Sequence, residues 1–251
     1  ADGGLSWEET DSIARILLYV KFADFNHGWI MGADLFETTD GGNTFTEIPI
    51  PTAMQNVISI DILNDSIIAL GGYWRIYPTP IYSDDKVIQM AFSTNRGQSW
   101  NFRDYLFTQP WTGRPDKMIL LDESTAIANV KGNSGVIYTT DKGVTWNRVS
   151  SGEQNNLFYD LERCDDRLYL AGMGISFLVS GPGNNITAPW ELRINQSYKW
   201  PKCASFSESG LVVIGAEGNR IYVSTDRGDS WEIKLSQVSN LKLSVLISDS
   251  L

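Results

Sequence analysis

An eight-residue motif that recurs along the chain constrains the fold more than any other feature. Its clearest copy runs from Ser224 to Trp231 in the order Ser or Thr, any residue, Asp, any residue, Gly, any residue, Ser or Thr, aromatic. Residues 93–100, 139–146 and 38–45 repeat it, and residues 180–190 keep only a Gly, a Thr and a Trp of it in a longer turn. The acidic or amide position and the aromatic position of the clear copies are Asp2 and Trp7, Asp40 and Phe45, Asn95 and Trp100, Asp141 and Trp146, and Asp226 and Trp231.

The residue types of the motif predict a turn between two strands. A short acceptor such as Asp226 can accept hydrogen bonds from backbone N–H groups two or three residues further on. Gly228 permits a backbone conformation that a side chain disfavours, and Ser230 offers a second local hydrogen bond. Trp231 is large and flat, which suits the gap between packed sheets. Because the flanking runs are typical of strands, the motif predicts a β-hairpin corner with an aromatic anchor.

The spacing of the motif predicts a repeat architecture. Successive anchoring aromatics, counting Trp190, lie 38 to 55 residues apart. A repeat of about 40–50 residues with several strands is typical of β-propeller blades. We therefore expect one all-β domain over residues 1–251, a propeller of four-stranded antiparallel blades, most simply six-bladed. The tail (241–251) matches a first strand and the head (2–9) matches a motif and a fourth strand, so we expect both ends of this fragment to share the closing blade.

Composition excludes several classes of function. The 251 residues carry a formal net charge of −10, which repels nucleic-acid phosphate and anionic membranes. No run approaches the roughly 18 apolar residues of a membrane span, and no signal peptide is visible. A single histidine, His27, argues against a zinc cluster and against most histidine-based catalysis. The two cysteines, Cys164 and Cys203, are either buried thiols or a disulfide between adjacent repeats.

Aromatic residues concentrate in the loops that should lie opposite the motif turns. The longest loop is expected at residues 72–86, and residues 107–115 and 195–201 link consecutive blades. In an antiparallel blade these segments share one face, so their aromatic side chains either form a binding surface or cover the tops of the blades. The candidate binding residues are Tyr73, Trp74, Arg75, Tyr77, Tyr82, Trp111, Tyr198 and Trp200.

Acidic residues on the same face raise the possibility of glycoside hydrolysis, which requires two carboxyl groups roughly 5–9.5 Å apart across a cleft. The candidates by position are Asp84, Asp85, Asp104, Asp116 and Glu217. Nothing in their spacing singles out a pair, and acids in loops are mostly solvated. The motif aspartates do not indicate calcium either, because the turn satisfies their oxygens and each belongs to a different blade.

The motif resembles the Asp-box, or BNR repeat, of β-propellers related to sialidases, xyloglucan-degrading glycosidases, sortilin-like receptors and photosystem II assembly factors. The Asp-box is structural in that family, so the resemblance implies the fold more than the activity. The sialidase arginine motif is not visible, since Arg75 and the residues after it echo it in the wrong place. The resemblance implies a non-catalytic binding or scaffolding propeller that is secreted, periplasmic or at the cell surface. Its ligand would be a glycan or a protein, without cofactor or metal, and the protein would be a monomer by default. The alternative is a sialidase-like or xyloglucanase-like hydrolase.

Overall fold

The computed structural model of the protein describes residues 17–75, 86–105, 113–132, 135–149, 158–172, 176–187, 190–195, 201–207, 209–216 and 220–235. Within these ranges the chain forms twenty strands and no helix. The strands make five antiparallel four-stranded sheets, here called blades 1 to 5, and in each blade four consecutive strands pair in chain order. This confirms the all-β, four-stranded blade architecture. The closing blade expected from residues 2–9 and 241–251 lies outside the described residues.

The strands follow the order expected from the sequence, with four consecutive strands in each repeat. Blade 1 contains β1 (Tyr19–Phe22), β2 (Gly28–Met31), β3 (Leu35–Thr38) and β4 (Thr46–Ile48); blade 2 contains β5 (Val57–Ile62), β6 (Ile68–Arg75), β7 (Lys86–Ser93) and β8 (Asn101–Tyr105); blade 3 contains β9 (Gly113–Leu120), β10 (Ala126–Gly132), β11 (Gly135–Thr139) and β12 (Asn147–Arg148); blade 4 contains β13 (Phe158–Cys164), β14 (Arg167–Gly172), β15 (Ser176–Val179) and β16 (Glu191–Asn195); blade 5 contains β17 (Pro201–Phe206), β18 (Val212–Ala216), β19 (Arg220–Ser224) and β20 (Glu232–Leu235).

The hydrophobic core lies between neighbouring blades. Trp29 of blade 1 belongs to the same buried cluster as Leu70 of blade 2, and Phe92 of blade 2 shares a cluster with Trp146 of blade 3. Two further clusters join blade 3 to blade 4 and blade 4 to blade 5. A sheet buries apolar side chains only against another layer, so each blade depends on its neighbours for its core. This packing is that of sheets arranged in sequence, as in a propeller.

The Asp-box turns close through side-chain hydrogen bonds to the backbone. In blade 5, Asp226 Oδ1 accepts from Ser230 N at 2.8 Å and Ser224 Oγ accepts from Gly228 N at 2.7 Å. The carboxylate thus reaches four residues on, whereas the sequence interpretation placed its partners two or three residues on. The reason is that Arg227 (φ 61°) and Gly228 (φ 92°) are both left-handed, which curls the chain back toward the carboxylate.

The Asn95 copy shows that the carboxylate can be replaced. Asn95 Oδ1 accepts from Ser99 N at 2.9 Å, as the aspartates do. Its Nδ2 then donates to Ser99 Oγ at 2.9 Å, whereas in the aspartate copies the hydroxyl donates to the second carboxylate oxygen. The hydroxyl of the seventh motif residue thus accepts a hydrogen bond from Asn95 and donates one to an aspartate, and the turn is the same in both cases.

Within the described ranges, each Asp-box turn docks onto the turn between the first and second strands of its own blade. The amide of the fourth motif residue donates to a carbonyl of that turn, for example from Lys142 to Ser124 at 2.9 Å and from Arg227 to Gly210 at 3.0 Å. The degenerate copy keeps this contact, because Asn184 N donates to Asp166 O. Its Trp190 is also buried. The docking contact thus survives where most of the motif has been lost.

We expect Gly97→Ala to destabilise the protein by roughly 1–3 kcal/mol. Gly97 has φ +77°, and an added Cβ would lie 2.3 Å from Cγ2 of Ile48 in the preceding blade. Gly183→Ala is the matched control, since Gly183 has φ +70° with nothing within 4 Å of the added atom. Urea unfolding should show the larger loss for Gly97→Ala; equal losses would mean that the contact with Ile48 is unimportant.

We expect the Asp-box carboxylates to make stability depend on acidic pH. Hydrogen bonds from the Ser230 hydroxyl and amide lower the pKa of Asp226 from 3.8 to about 2. Hydrogen bonds from the Thr44 amide and hydroxyl lower the pKa of Asp40 from 3.8 to about 2 as well. Because the folded pKa is depressed, this stabilisation is complete above the ordinary pKa and is lost as the pH falls toward 2.

Urea unfolding followed from about pH 5 down to pH 2 tests this linkage. The Asp40→Asn, Asp226→Asn double variant should keep the turns, as Asn95 does, and should lose less stability on acidification. Glu47→Gln, on an exposed position of β4, is the control and should behave as the parent protein does. An unchanged acid loss in the double variant would contradict the assignment.

Candidate functional site

A cavity lies where the first strands of the blades approach one another. The first strands β5, β9, β13 and β17 contact each other in sequence across the blade boundaries, which makes them the innermost strands. The cavity has a volume of about 460 Å³ and is lined from β1, β5, β9 and β13. Lining residues that bear on its chemistry are Tyr19, Ile58, Ser59, Asp61, Lys117 and Glu162.

Lysine side chains on first strands reach acids on the first strand of the next blade. Lys21 Nζ donates to Asp61 Oδ1 at 2.6 Å. Lys117 Nζ donates to Asp160 Oδ1 at 3.2 Å and also to Glu162 Oε1. Each pair therefore joins two neighbouring blades close to the cavity.

The same aspartates accept a backbone amide from the blade that follows. Asp61 Oδ2 accepts from Leu120 N at 2.7 Å, and Asp160 Oδ2 accepts from Ala204 N at 3.0 Å. The series Lys21–Asp61–Leu120 and Lys117–Asp160–Ala204, here called the axial ladder, connects all five described blades. Both oxygens of each aspartate are engaged in these contacts, so the ladder holds the carboxylates in fixed positions.

The electrostatics of the cavity fix which groups are charged. Burial by itself would lower the pKa of Lys117, but attraction to Asp160 and Glu162 outweighs it and raises that pKa. Burial raises the pKa of Glu162 despite the opposing attraction of Lys117. Burial, with the negative charges of Asp61 and Glu162, also raises the pKa of Tyr19. At neutral pH Lys117 is therefore a cation and Tyr19 a neutral hydroxyl.

One enclosed hydroxyl lies between β5, β6 and β9, beside Gly71 and Pro115. Ser59 is 4% exposed, and its Oγ makes no hydrogen bond within the described part of the chain. A buried hydroxyl without a partner costs free energy, so such groups usually have a structural or functional explanation.

The expected aromatic surface is only partly within the described residues. Tyr73 and Trp74 are half-buried and lie in β6, where they pair with Ile88 and Val87. The sequence interpretation began the loop at Gly72. That start is wrong, because the pairing of β6 with β7 continues to Arg75. Aromatic and β-branched residues form favourable cross-strand pairs, and here they lengthen the hairpin.

The remaining candidates of this surface stay predictions. Arg75 ends β6, and its side chain is outside the described residues, as are Tyr77, Tyr82, Trp111, Tyr198 and Trp200. Among the proposed acids, Asp104 accepts from Gln89 Nε2 at 2.9 Å and Asp116 lies 3.1 Å from Arg114 Nε. Asp84, Asp85 and Glu217 are outside the described ranges. Asp104 and Asp116 thus each have a polar partner of their own.

His27 and Cys164 have structural contacts. His27 lies 2.7 Å from Glu37 and 3.1 Å from Asp65, so its ring joins blade 1 to blade 2. Cys164 is buried, and its Sγ lies 3.1 Å from Ser207 O, the distance of an S–H donor to a carbonyl. The side chain of Cys203 is not described. Over the described ranges, no cluster of three or more His, Cys, Asp or Glu could hold a metal ion, and no helix could span a bilayer.

The sequence interpretation missed the charged residues of the axial ladder. It treated the first strands as apolar core, although Lys21, Asp61, Lys117 and Glu162 interrupt them. The missed signal is that these charges fall in the first strand of four successive repeats. A single charge in an apolar strand does not reveal its partner. Only a superposition of the repeats shows that charges on neighbouring first strands can form ion pairs.

We expect Lys117→Met to destabilise the protein by about 1–3 kcal/mol, because Asp160 and Glu162 would lose their shared cation. The loss should be smaller than for a fully buried pair, since 37% of the Lys117 side chain is exposed. Lys234→Met, which removes an exposed pair with Glu232 at 3.5 Å, is the control and should cost less than about 0.5 kcal/mol. Adding Glu162→Gln to Lys117→Met should recover part of the loss in urea unfolding; no recovery would contradict the pairing.

Comparison with known proteins shows which family the chain matches. Residues 2–246 match the family model described as photosynthesis system II assembly factor YCF48. A search of the curated proteins gives no significant match. A solved structure described as YCF48 bound to D1 peptide is 21% identical with a TM-score of 0.61, covering 88% of this chain and 69% of that chain.

Other solved propellers are similar in fold at still lower identity. The GH74 enzyme of Niastella koreensis is 15% identical with a TM-score of 0.62, covering 88% of this chain but 38% of the enzyme. The computationally designed Ika8 protein is 14% identical with a TM-score of 0.58, covering 91% of this chain and 65% of that one. Identities this low establish the propeller fold and nothing more. The family model, in contrast, matches nearly the whole chain, and the chain therefore belongs to the family of the photosynthesis system II assembly factor YCF48.

Proposed function

We propose that the chain is a non-catalytic binding propeller that holds a peptide segment of a protein partner at its axial cavity. Its family supports a protein partner, because the solved YCF48 structure is described as bound to a D1 peptide. The single observation that carries the proposal is the cavity itself. Its volume of about 460 Å³ is within the usual range of ligand pockets.

The cavity wall combines apolar surface with a few polar groups, as binding pockets do. Ile58 and Ile119 provide aliphatic surface and Tyr19 a ring, while Lys117 and Glu162 provide polar groups. This mixture suits a side chain of a bound peptide better than a purely polar ligand.

The contact surface of the proposal extends from the cavity to the aromatic end of blade 2. Val57, near the start of β5, pairs with Gly72, so Tyr73 and Trp74 continue beyond that end of the innermost strand. Asn56 Nδ2 donates to Tyr73 O at 3.0 Å and fixes this extension. Half-buried aromatic side chains in such a position are typical anchors for a peptide.

The axial carboxylates argue against hydrolysis. A glycosidase needs one carboxyl group free to transfer a proton and a second to act as nucleophile or base. Both oxygens of Asp61 and of Asp160 already accept hydrogen bonds, and Glu162 is bound to Lys117. We expect no hydrolysis of chromogenic glycosides or of xyloglucan, and turnover above that of a buffer blank would overturn the non-catalytic assignment.

Peptide binding can be tested directly. The D1 peptide of the solved YCF48 complex and a displayed library of random peptides are the probes, with affinities measured by isothermal titration calorimetry. We expect Ile58→Arg to weaken the best peptide about tenfold or more, since a bulky cation would occupy the cavity. Ile233→Arg is the matched control, because Ile233 is 45% exposed on β20. Failure of every peptide to bind, or equal binding by Ile58→Arg, would contradict the proposal, and binding only on a glycan array would replace the partner by a glycan.

We also propose that the protein acts outside the cytoplasm, by analogy with the Asp-box propellers that its turns resemble. Fractionation of the source cells followed by immunoblotting tests the location. Recovery of the protein with cytoplasmic markers would contradict it.

A further inference from the structure

We propose that the contacts of His27 with Glu37 and Asp65, here called the histidine clasp, form a pH-sensitive joint between blades 1 and 2. The clasp is closed while the imidazole ring carries two protons and loosens when the ring loses one. It is a property of the fold and does not depend on the proposed peptide function. His27 is the single histidine of the chain, so its charge state can be followed without overlapping signals.

Each ring nitrogen of His27 faces a carboxylate of a different blade. Nε2 lies 2.7 Å from Oε1 of Glu37, on β3 of blade 1. Nδ1 lies 3.1 Å from Oδ1 of Asp65, in the turn between β5 and β6 of blade 2. An ionised carboxylate only accepts hydrogen bonds, and a neutral imidazole has one N–H to donate. The doubly protonated imidazolium therefore satisfies both contacts at once, whereas the neutral ring satisfies one.

The charged groups around the ring favour the imidazolium. Among the described residues, Glu37 and Asp65 face the ring nitrogens, and Asp24 Oδ1 accepts from the backbone amide of His27 at 2.8 Å. The cation nearby is Arg96, from the Asp-box turn of blade 2, which lies 2.7 Å from Oε1 of Glu37. One guanidinium thus accompanies three carboxylates, and a charged ring supplies a second positive charge at this place.

The two contacts of the ring differ in how they depend on the proton. The His27 side chain is 13% exposed and stacks on Trp29, with ring centroids 4.2 Å apart, so packing holds the ring in place. Glu37 is equally buried and can still accept from Nε2–H of a neutral ring. Asp65 is 61% exposed, so water can replace the ring as its partner. Loss of the Nδ1 proton therefore breaks the contact with blade 2 and leaves the contact within blade 1.

The clasp stabilises the joint at mildly acidic pH. Histidine ordinarily loses its proton near pH 6.5, so the contact with Asp65 is complete below this range and is lost as the pH rises above it. This dependence is opposite in sign to that of the Asp-box carboxylates, whose stabilisation is lost toward pH 2. The two effects lie in separate pH ranges and can be measured separately.

Amide hydrogen exchange tests the clasp on the unmodified protein. The amides of Gly41 and Arg96 donate to the two turns that the ring joins, at 2.9 and 3.0 Å. After correction for the intrinsic pH dependence of exchange, we expect their protection to fall about two- to fivefold from about pH 5.5 to about pH 8. The Lys142 amide makes the same contact in blade 3, where no histidine is present, and should keep its protection. An equal fall at Lys142, or no fall at Gly41 and Arg96, would overturn the proposal.

A substitution of the partner in blade 2 assigns the effect to the ring. Asp65→Asn removes the charge that faces Nδ1 and nearly keeps the size of the side chain. The fraction of imidazolium at neutral pH, measured from the ¹⁵N shifts of the ring, should be lower than in the parent protein, and protection at Arg96 should change less with pH. Glu47→Gln removes a charge from exposed β4 and should leave both measurements unchanged. An equal fraction of imidazolium in Asp65→Asn and in the parent protein would overturn the clasp.

Discussion

In the described blades that carry a clear Asp-box, the turn depends on a hydrogen bond from the amide of the seventh motif residue to the side-chain oxygen of the third. Where the third residue is Asp226 the acceptor is a carboxylate, and where it is Asn95 the acceptor is an amide oxygen at a similar distance. The bond closes the turn between the third and fourth strands and exposes the amide of the fourth motif residue. That amide then docks onto the turn between the first and second strands. One local interaction thus fixes both turns at the same end of the blade, and paired strands with fixed ends can pack as rigid sheets.

The packed sheets are held together by two kinds of contact. Between blades the contacts are apolar, as in the cluster that contains Phe92 and Trp146. Near the innermost strands the contacts are ionic, as between Lys117 and Asp160. The difference follows from access to solvent, because the cavity leaves 37% of the Lys117 side chain exposed and its charge partly hydrated. Buried charges are tolerated there only when paired and hydrogen-bonded, which the axial ladder achieves through lysines and backbone amides. Those fixed charges surround the cavity in which we place the ligand.

The strand order and the blade architecture were predictable, because the Asp-box combines a turn, a strand boundary and a repeat length. The partners of Asp226 were misplaced, because an unusual backbone conformation was expected at Gly228 alone, and the second left-handed residue, Arg227, is visible only in the backbone. The end of β6 was also misplaced. Gly72 is typical of a strand end, but the pairing of Trp74 with Val87 outweighs that local preference. Of the cavity residues the candidates included only Asp116, since a single charge such as Asp61 in an apolar strand carries no sign of its partner in another repeat.

The sequence by itself determined the hairpin corners, the repeat length and the all-β class of this protein, because each depends on residues within eight positions of one another or on their regular recurrence. The tertiary structure decided which first strands meet and that Lys117 lies between Asp160 and Glu162. Those contacts join residues about forty positions apart whose register is set by the packing of whole blades. Hydrogen bonds within a turn depend on residues that are close in the sequence, whereas ion pairs between blades depend on the positions of entire sheets.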